Sequence, residues 1–158
     1  MKYRLLDSDE LSHFNEELVQ FLIVNGIHGE EWEKLNKTDP EKAIELVGIF
    51  SDQVLQKVYE NIKYLEFRAK DRLLLFYLGI EKIGLIGLES GSNSEVDFSD
   101  TEKIHRSLQL ESNGIRYFRS AKEYSGEREL EIHQMIGSGC IPSTAQFWEY
   151  MNELTQNV

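Results

Sequence analysis

The sequence predicts an α+β fold, with N-terminal helices, a central antiparallel sheet of three to four strands, and C-terminal helices. Two observations predict it. Between Lys63 and Leu88 lie three apolar runs, each too short for an ordinary helix and rich in Phe, Tyr and Ile. Short polar breaks separate them, as in a hairpin meander. On both sides of this stretch, apolar residues recur instead at steps of three and four, the period of a helix buried on one face.

Met1 to Leu6 carries Tyr3, Leu5 and Leu6 and is expected to lie against the core as an extended arm. Asp7 caps the first helix, and Glu10 closes a capping box. Leu11, Phe14, Leu18, Phe21 and Leu22 form one stripe, and Asn25-Gly26 ends it as a left-handed cap would. A short helix follows over Glu30 to Lys37, with Trp32 and Leu35 inward. Asp39 and Pro40 then open a long helix, because the missing N–H of proline costs nothing in the first turn. Its expected stripe is Ala43, Val47, Phe50, Val54 and Val58, with Gly48 leaving room for close helix contact.

In the meander, Leu65, Phe67 and Ala69 alternate with Tyr64, Glu66 and Arg68, which puts the charges on one face of a strand. Leu73 to Leu78 is apolar without alternation. Such a strand needs cover above and below, from helices on one side and from C-terminal segments or a second subunit on the other. Gly84 and Gly87 allow close packing.

Glu89 to Phe98 is polar and reads as a loop. Ser99 with Glu102 predicts the cap of a helix carrying Ile104, Leu108 and Leu110, ended by Asn113-Gly114. Ile115 to Ala121 is the fourth strand. A helix from Gly126 to Ile136 carries Leu130, Ile132 and Ile136, and Gly137 to Pro142 breaks the chain. Ser143 or Thr144 caps a last helix bearing Phe147, Trp148, Met151 and Leu154, after which the tail frays.

The 158 residues fit one domain spanning 1–158, with a core of its own. A net charge of −11 opposes binding to nucleic acid and to anionic membrane. From Met1 to Asn61, 13 acids face 6 bases, which reads as a solvated face. No apolar run reaches the length of a membrane span, and the N-terminus lacks the apolar stretch of a signal peptide, so a cytoplasmic protein is expected.

No P-loop, dinucleotide fingerprint, zinc-protease motif or nucleophile elbow occurs. No catalytic residue, metal site or cofactor is assigned. His13, His28, His105 and His133 fall on separate elements without paired spacing. Cys140, the single cysteine, reads as a small buried hydrophobe. The strongest candidate site is Ile115 to Arg128, where four bases face two acids. Arg116, Arg119, Lys122, Tyr124 and Arg128 are the candidate ligand-binding residues for a small anion, because guanidinium forks suit carboxylates and phosphates. Internal salt bridging is the competing reading, since Arg116 and Arg119 point to opposite faces of a strand.

The chain also resembles a family of small uncharacterised bacterial proteins. The resemblance rests on the MKYR start, EEWEKL (Glu30 to Leu35), FSD-x-V (Phe50 to Val54), YLE (Tyr64 to Glu66) and SAKEYS (Ser120 to Ser125). It covers most of the chain and implies one whole-chain domain, with no activity or cofactor attached. The leading functional expectation is a non-enzymatic binding or interaction module, with a homodimer or another protein as partner. An enzyme or sensor for a small anion is the alternative.

Overall fold

The computed structural model describes residues 1–91, 95–109 and 114–156. The chain forms two compact units, Met1–Tyr59 and Glu60–Val158.

The first unit is helical. It holds helices α1 (Ser8–His13), α2 (Asn15–Val24) and α3 (Glu31–Thr38), and all but the last two residues of the long α4 (Pro40–Asn61). The capping box forms as expected: Asp7 accepts from the Glu10 N–H, and the Glu10 carboxylate accepts from the Asp7 N–H. The expected single helix is instead divided at Phe14, whose ψ of 25° turns its peptide out of helical line. Gly26, at φ +83°, ends α2. The Ile27 N–H reaches the Leu22 carbonyl and the Gly26 N–H reaches Ile23, the paired bonds of a Schellman motif.

The buried side of α4 corrects the expected stripe. Ala43, Leu46, Phe50, Ser51, Leu55 and Tyr59 are buried, while Val47 and Val54 are half-buried and Val58 is exposed. The cause is the N-terminal arm. Asp52 accepts from the Lys2 and Tyr3 N–H groups, Ser51 Oγ accepts from Leu6 N–H, and the Tyr3 ring meets Tyr59 edge-on at 5.1 Å. The arm therefore covers a flank that periodicity alone leaves open. Gly48 faces the same arm, at Met1 and Leu5, and not another helix.

Glu10 carries a pH dependence. The Arg4 guanidinium, 2.8 Å away, and then the Asp7 N–H hold its carboxyl down at about 2, from an ordinary value of 4.5. A carboxyl lowered on folding stabilises above its unfolded pKa and loses that contribution as pH falls towards the folded value. The urea midpoint of the native protein should exceed that of Glu10→Gln at neutral pH, and the gap should close between about pH 4.5 and pH 2. A gap of equal size at both ends of that range would contradict this account.

The second unit holds an all-antiparallel sheet in the order β4-β3-β2-β1-β5. Strands β1 (Tyr64–Arg68), β2 (Arg72–Leu78) and β3 (Lys82–Glu89) are the expected meander, and β4 (Arg116–Glu123) joins β3. The fifth strand, β5 (Ile141–Pro142), lies in the stretch expected only to break the chain. It pairs with Leu65 and Glu66 at the sheet edge, where a proline without an N–H is tolerated. Helices α5 (Thr101–Leu108), α6 (Arg128–Gly137) and α7 (Ala145–Leu154) complete the unit. The fold class is thus the α+β one expected, with one more strand.

One sheet face carries Leu73, Leu75, Ile86 and Leu88, all at most 1% exposed. Ile104 of α5 and Met151 of α7 pack on them, joined by Val96 and Phe98. Leu65, Leu78 and Ile83 are buried on the opposite face. Lys122, which pairs with Ile83 in register, reaches Glu131 of α6, so α6 lies on that side. On the same face Phe67, Leu74, Phe76, Leu85 and Phe118 are only half-buried. The doubly apolar β2 therefore has Leu73 and Leu75 sealed on one face, with Tyr77 at the end of that face exposed, and its other face covered at one end, at Leu78. Gly87 accommodates the Phe118 ring, which would lie 2.1 Å from any Cβ there.

Three further expectations change. The cap of α5 is Asp100, which accepts from Lys103 N–H, and not Ser99. Ser99 instead donates to Asp97. Glu89 to Phe98 is more than a polar loop, because Val96 and Phe98 are core residues; residues 92–94 of it lie outside the described residues. The tail does not fray at Leu154: Leu154 is exposed but Thr155 is fully buried, its hydroxyl donating to the Met151 carbonyl. The expected Leu110 and Asn113 of the α5 region lie outside the described residues.

Candidate functional site

The basic stretch from Arg116 to Arg128 is distributed over both sheet faces, as the alternation of β4 requires. Arg116 pairs with its cross-strand partner Glu89 at 2.7 Å. Arg119, on the other face, donates to Asn152 and Thr155 of the C-terminal segment. Lys122 donates to Glu131 of α6 at 2.6 Å. Burial alone would raise the Glu131 carboxyl, but Lys122 and the Ser125 N–H outweigh it and hold it below the usual range.

Tyr124 and Arg128 are the two candidates that the fold brings together. Both donate to the Gly79 carbonyl in the β2–β3 turn. Arg128 also reaches the Ile62 and Leu78 carbonyls. Burial raises the Tyr124 phenol, which keeps it a donor. Each candidate base thus holds an acceptor within the protein. Cys140 is buried, as expected, and its thiol is pushed up by burial, which disfavours the reactive thiolate.

A different set of residues forms a cleft of about 350 Å³. Its floor is Glu66 and Arg68 of β1, two residues apart and therefore on one face. Helix α5 contributes Thr101, Ile104, His105 and Leu108, the spacing of one helical face. The opposite wall is Thr144, Phe147 and Tyr150, at the start and along one side of α7. The sequence grouped Glu66 and Arg68 as the charged face of β1. That charged face is the one α5 and α7 cover, and Glu66 is only 4% exposed.

The floor is an ion pair with capacity to spare. Arg68 Nε donates to Glu66 Oε2 at 2.6 Å, and Arg68 Nη1 donates to the Thr101 hydroxyl at 3.0 Å. Glu66 Oε1 and Arg68 Nη2 have no partner among the described residues. The pair is formally neutral, so the cleft presents an acceptor and a donor at the base of largely apolar walls. Chemically this suits a ligand with an apolar body and one polar head. A charged pair on the inner face of a strand, flanked by Leu73 and Leu75 on the next strand, was the signal in the sequence. It gained meaning only once α5 and α7 were placed over it.

A family model described as a family of unknown function (DUF6495) matches residues 1–156. No curated protein matches the chain, and no solved structure matches it.

Proposed function

This chain belongs to DUF6495, a family of unknown function, and from that premise we propose that it is a binding module for a small ligand, or a ligand side chain, with an apolar body and a carboxamide-like head. The observation that carries this reading is the half-engaged Glu66–Arg68 pair at the floor of the cleft. A neutral carboxamide donates from its NH₂ and accepts at its carbonyl, matching Glu66 Oε1 and Arg68 Nη2 together. A carboxylate would meet the buried Glu66, and an ammonium would meet Arg68. Ile104, Leu108 and Phe147 would desolvate the body of the ligand.

The test uses three probes that share one ring and differ in the head group: benzamide, benzoate and benzylamine, titrated by ligand-observed NMR. Benzamide is expected to bind with a Kd of about 1 mM, the scale for so small a ligand. Both charged probes should bind at least about fivefold more weakly. Leu108→Trp, which fills one wall, should abolish benzamide binding while shifting Tm by no more than about 3 °C. Failure of benzamide to bind, or binding that survives the filled wall, sinks this reading.

A further inference from the structure

The sheet ends in two unlike edges. At one, β5 has only two residues, one of them Pro142, which is how an edge is kept from pairing further. At the other, β4 runs for eight residues without proline or glycine, and all of them stand in register with β3. Arg119, Ser120, Ala121, Lys122 and Glu123 are all exposed. A long, regular and exposed edge strand is a template for another strand.

The ladder shows which backbone groups are free. The Ser90 N–H donates to the Asp71 carbonyl and the Gly79 N–H to the Lys82 carbonyl, which sets the alternation between β2 and β3. Carried across to β4, that alternation turns the even-numbered residues' backbone groups towards β3. The N–H and C=O groups of Tyr117, Arg119, Ala121 and Glu123 therefore point outward. None of them has a partner among the described residues.

Charge selects the occupant. Arg116 and Lys122 are already neutralised, by Glu89 at 2.7 Å and Glu131 at 2.6 Å. Arg119 and Glu123 remain, on one face of the strand. Arg119 gives only Nη1 to Asn152 and Thr155, and the Glu123 carboxylate has no partner among the described residues. One charge of each sign on the same edge is self-complementary about a two-fold axis. Outward residues must meet outward residues, so in an antiparallel pair the axis passes through a residue of β4. Placed at Ser120, it engages all the outward groups. Tyr117 then faces Glu123 of the second copy, Arg119 faces its Ala121, and Arg119 lies diagonal to its Glu123, within reach of a long side chain. Placed at Arg119, it would oppose two guanidinium groups. Ser120 meeting its own copy suits the axis, because a non-hydrogen-bonded pair stands only about 4.5 Å apart at Cα and needs small side chains. The net charge of −11 on each copy acts at long range, where salt screens it beyond about 8 Å.

We propose that the outer edge of β4 pairs antiparallel with β4 of a second copy about a two-fold axis at Ser120, joining two sheets into one, with Arg119 of each copy against Glu123 of the other. This edge lies across the sheet from β1 and the Glu66–Arg68 cleft, so either assignment stands or falls alone.

Sedimentation equilibrium of the full chain should show a dimer with a Kd of about 10 μM, the weak end for an interface built on one strand pair. Ala121→Pro removes an outward N–H and leaves every β3–β4 bond in place, so it should raise Kd at least about thirtyfold with native circular dichroism. Glu123→Arg sets like charges together twice across the axis and should raise Kd about tenfold, a second reading should the proline variant fold poorly. Ser120→Cys should crosslink into a covalent dimer under oxidised glutathione, since the spacing at the axis suits a disulfide. Ile80→Cys, at a 92% exposed position in the β2–β3 turn, should not. A chain that stays monomeric at about 300 μM overturns the proposal, leaving the edge to a foreign strand. A dimer that survives both Ala121→Pro and Glu123→Arg overturns it too, by placing the contact elsewhere. So does a dimer in which Ser120→Cys crosslinks no faster than Ile80→Cys.

Discussion

Phe98→Ala is expected to lower the unfolding free energy of the second unit by about 3–5 kcal/mol, the range for deleting a fully buried ring. Phe98 is 0% exposed and packs with Leu73, Leu75, Ile86, Leu88, Ile104 and Met151. Its N–H also donates to the Lys70 carbonyl, which fixes the segment entering α5. The substitution removes the ring's transfer energy and leaves a cavity between sheet and helices that rigid strands fill poorly. The effect should reach the cleft, because Ile104 stands on both the core and the cleft wall. Urea unfolding followed by tryptophan fluorescence measures it. A loss below about 1 kcal/mol would show that the residue is not the anchor described.

Arg128→Ala should cost about 3 kcal/mol, through acceptors and not through packing. Its side chain is 15% exposed and donates to three backbone carbonyls, Ile62, Leu78 and Gly79, at 2.6, 3.1 and 3.2 Å. It thereby ties the start of α6 to the end of β2 and to the segment before β1. Truncation removes a charged donor from all three at once, and buried carbonyls left short of partners carry their desolvation cost. Arg128→Lys should recover less than half of the loss, since one ammonium lacks the planar fork that spans several carbonyls. The measurement separates two roles for this residue. An arginine kept for an anion would leave the free protein equally stable, or more stable, when removed; one that clasps the fold would not.

Local features were legible in the sequence because they depend on neighbours along the chain. The Asp7–Glu10 box, the Gly26 terminus, the Asp39-Pro40 start of α4 and the three-strand meander all formed where their residues indicated. The candidate site was less legible. Arg116 to Arg128 looked exceptional by charge, yet the fold gives these bases acceptors that sequence cannot display: backbone carbonyls, a cross-strand Glu89, and Glu131 from α6. The N-terminal arm likewise moved the buried side of α4 through bonds spanning some fifty residues.

By itself the sequence determined where helices begin, where strands turn, and that a small antiparallel sheet stands at the centre, since periodicity and capping are properties of short windows. Only the tertiary structure decided that Glu66 and Arg68 lie under α5 and α7 instead of in water, and that Val96 and Phe98 belong to the core. The physical reason is that burial is set by what packs on a residue from elsewhere in the chain. For Arg68 that is Thr101, 33 positions away, which no local pattern encodes.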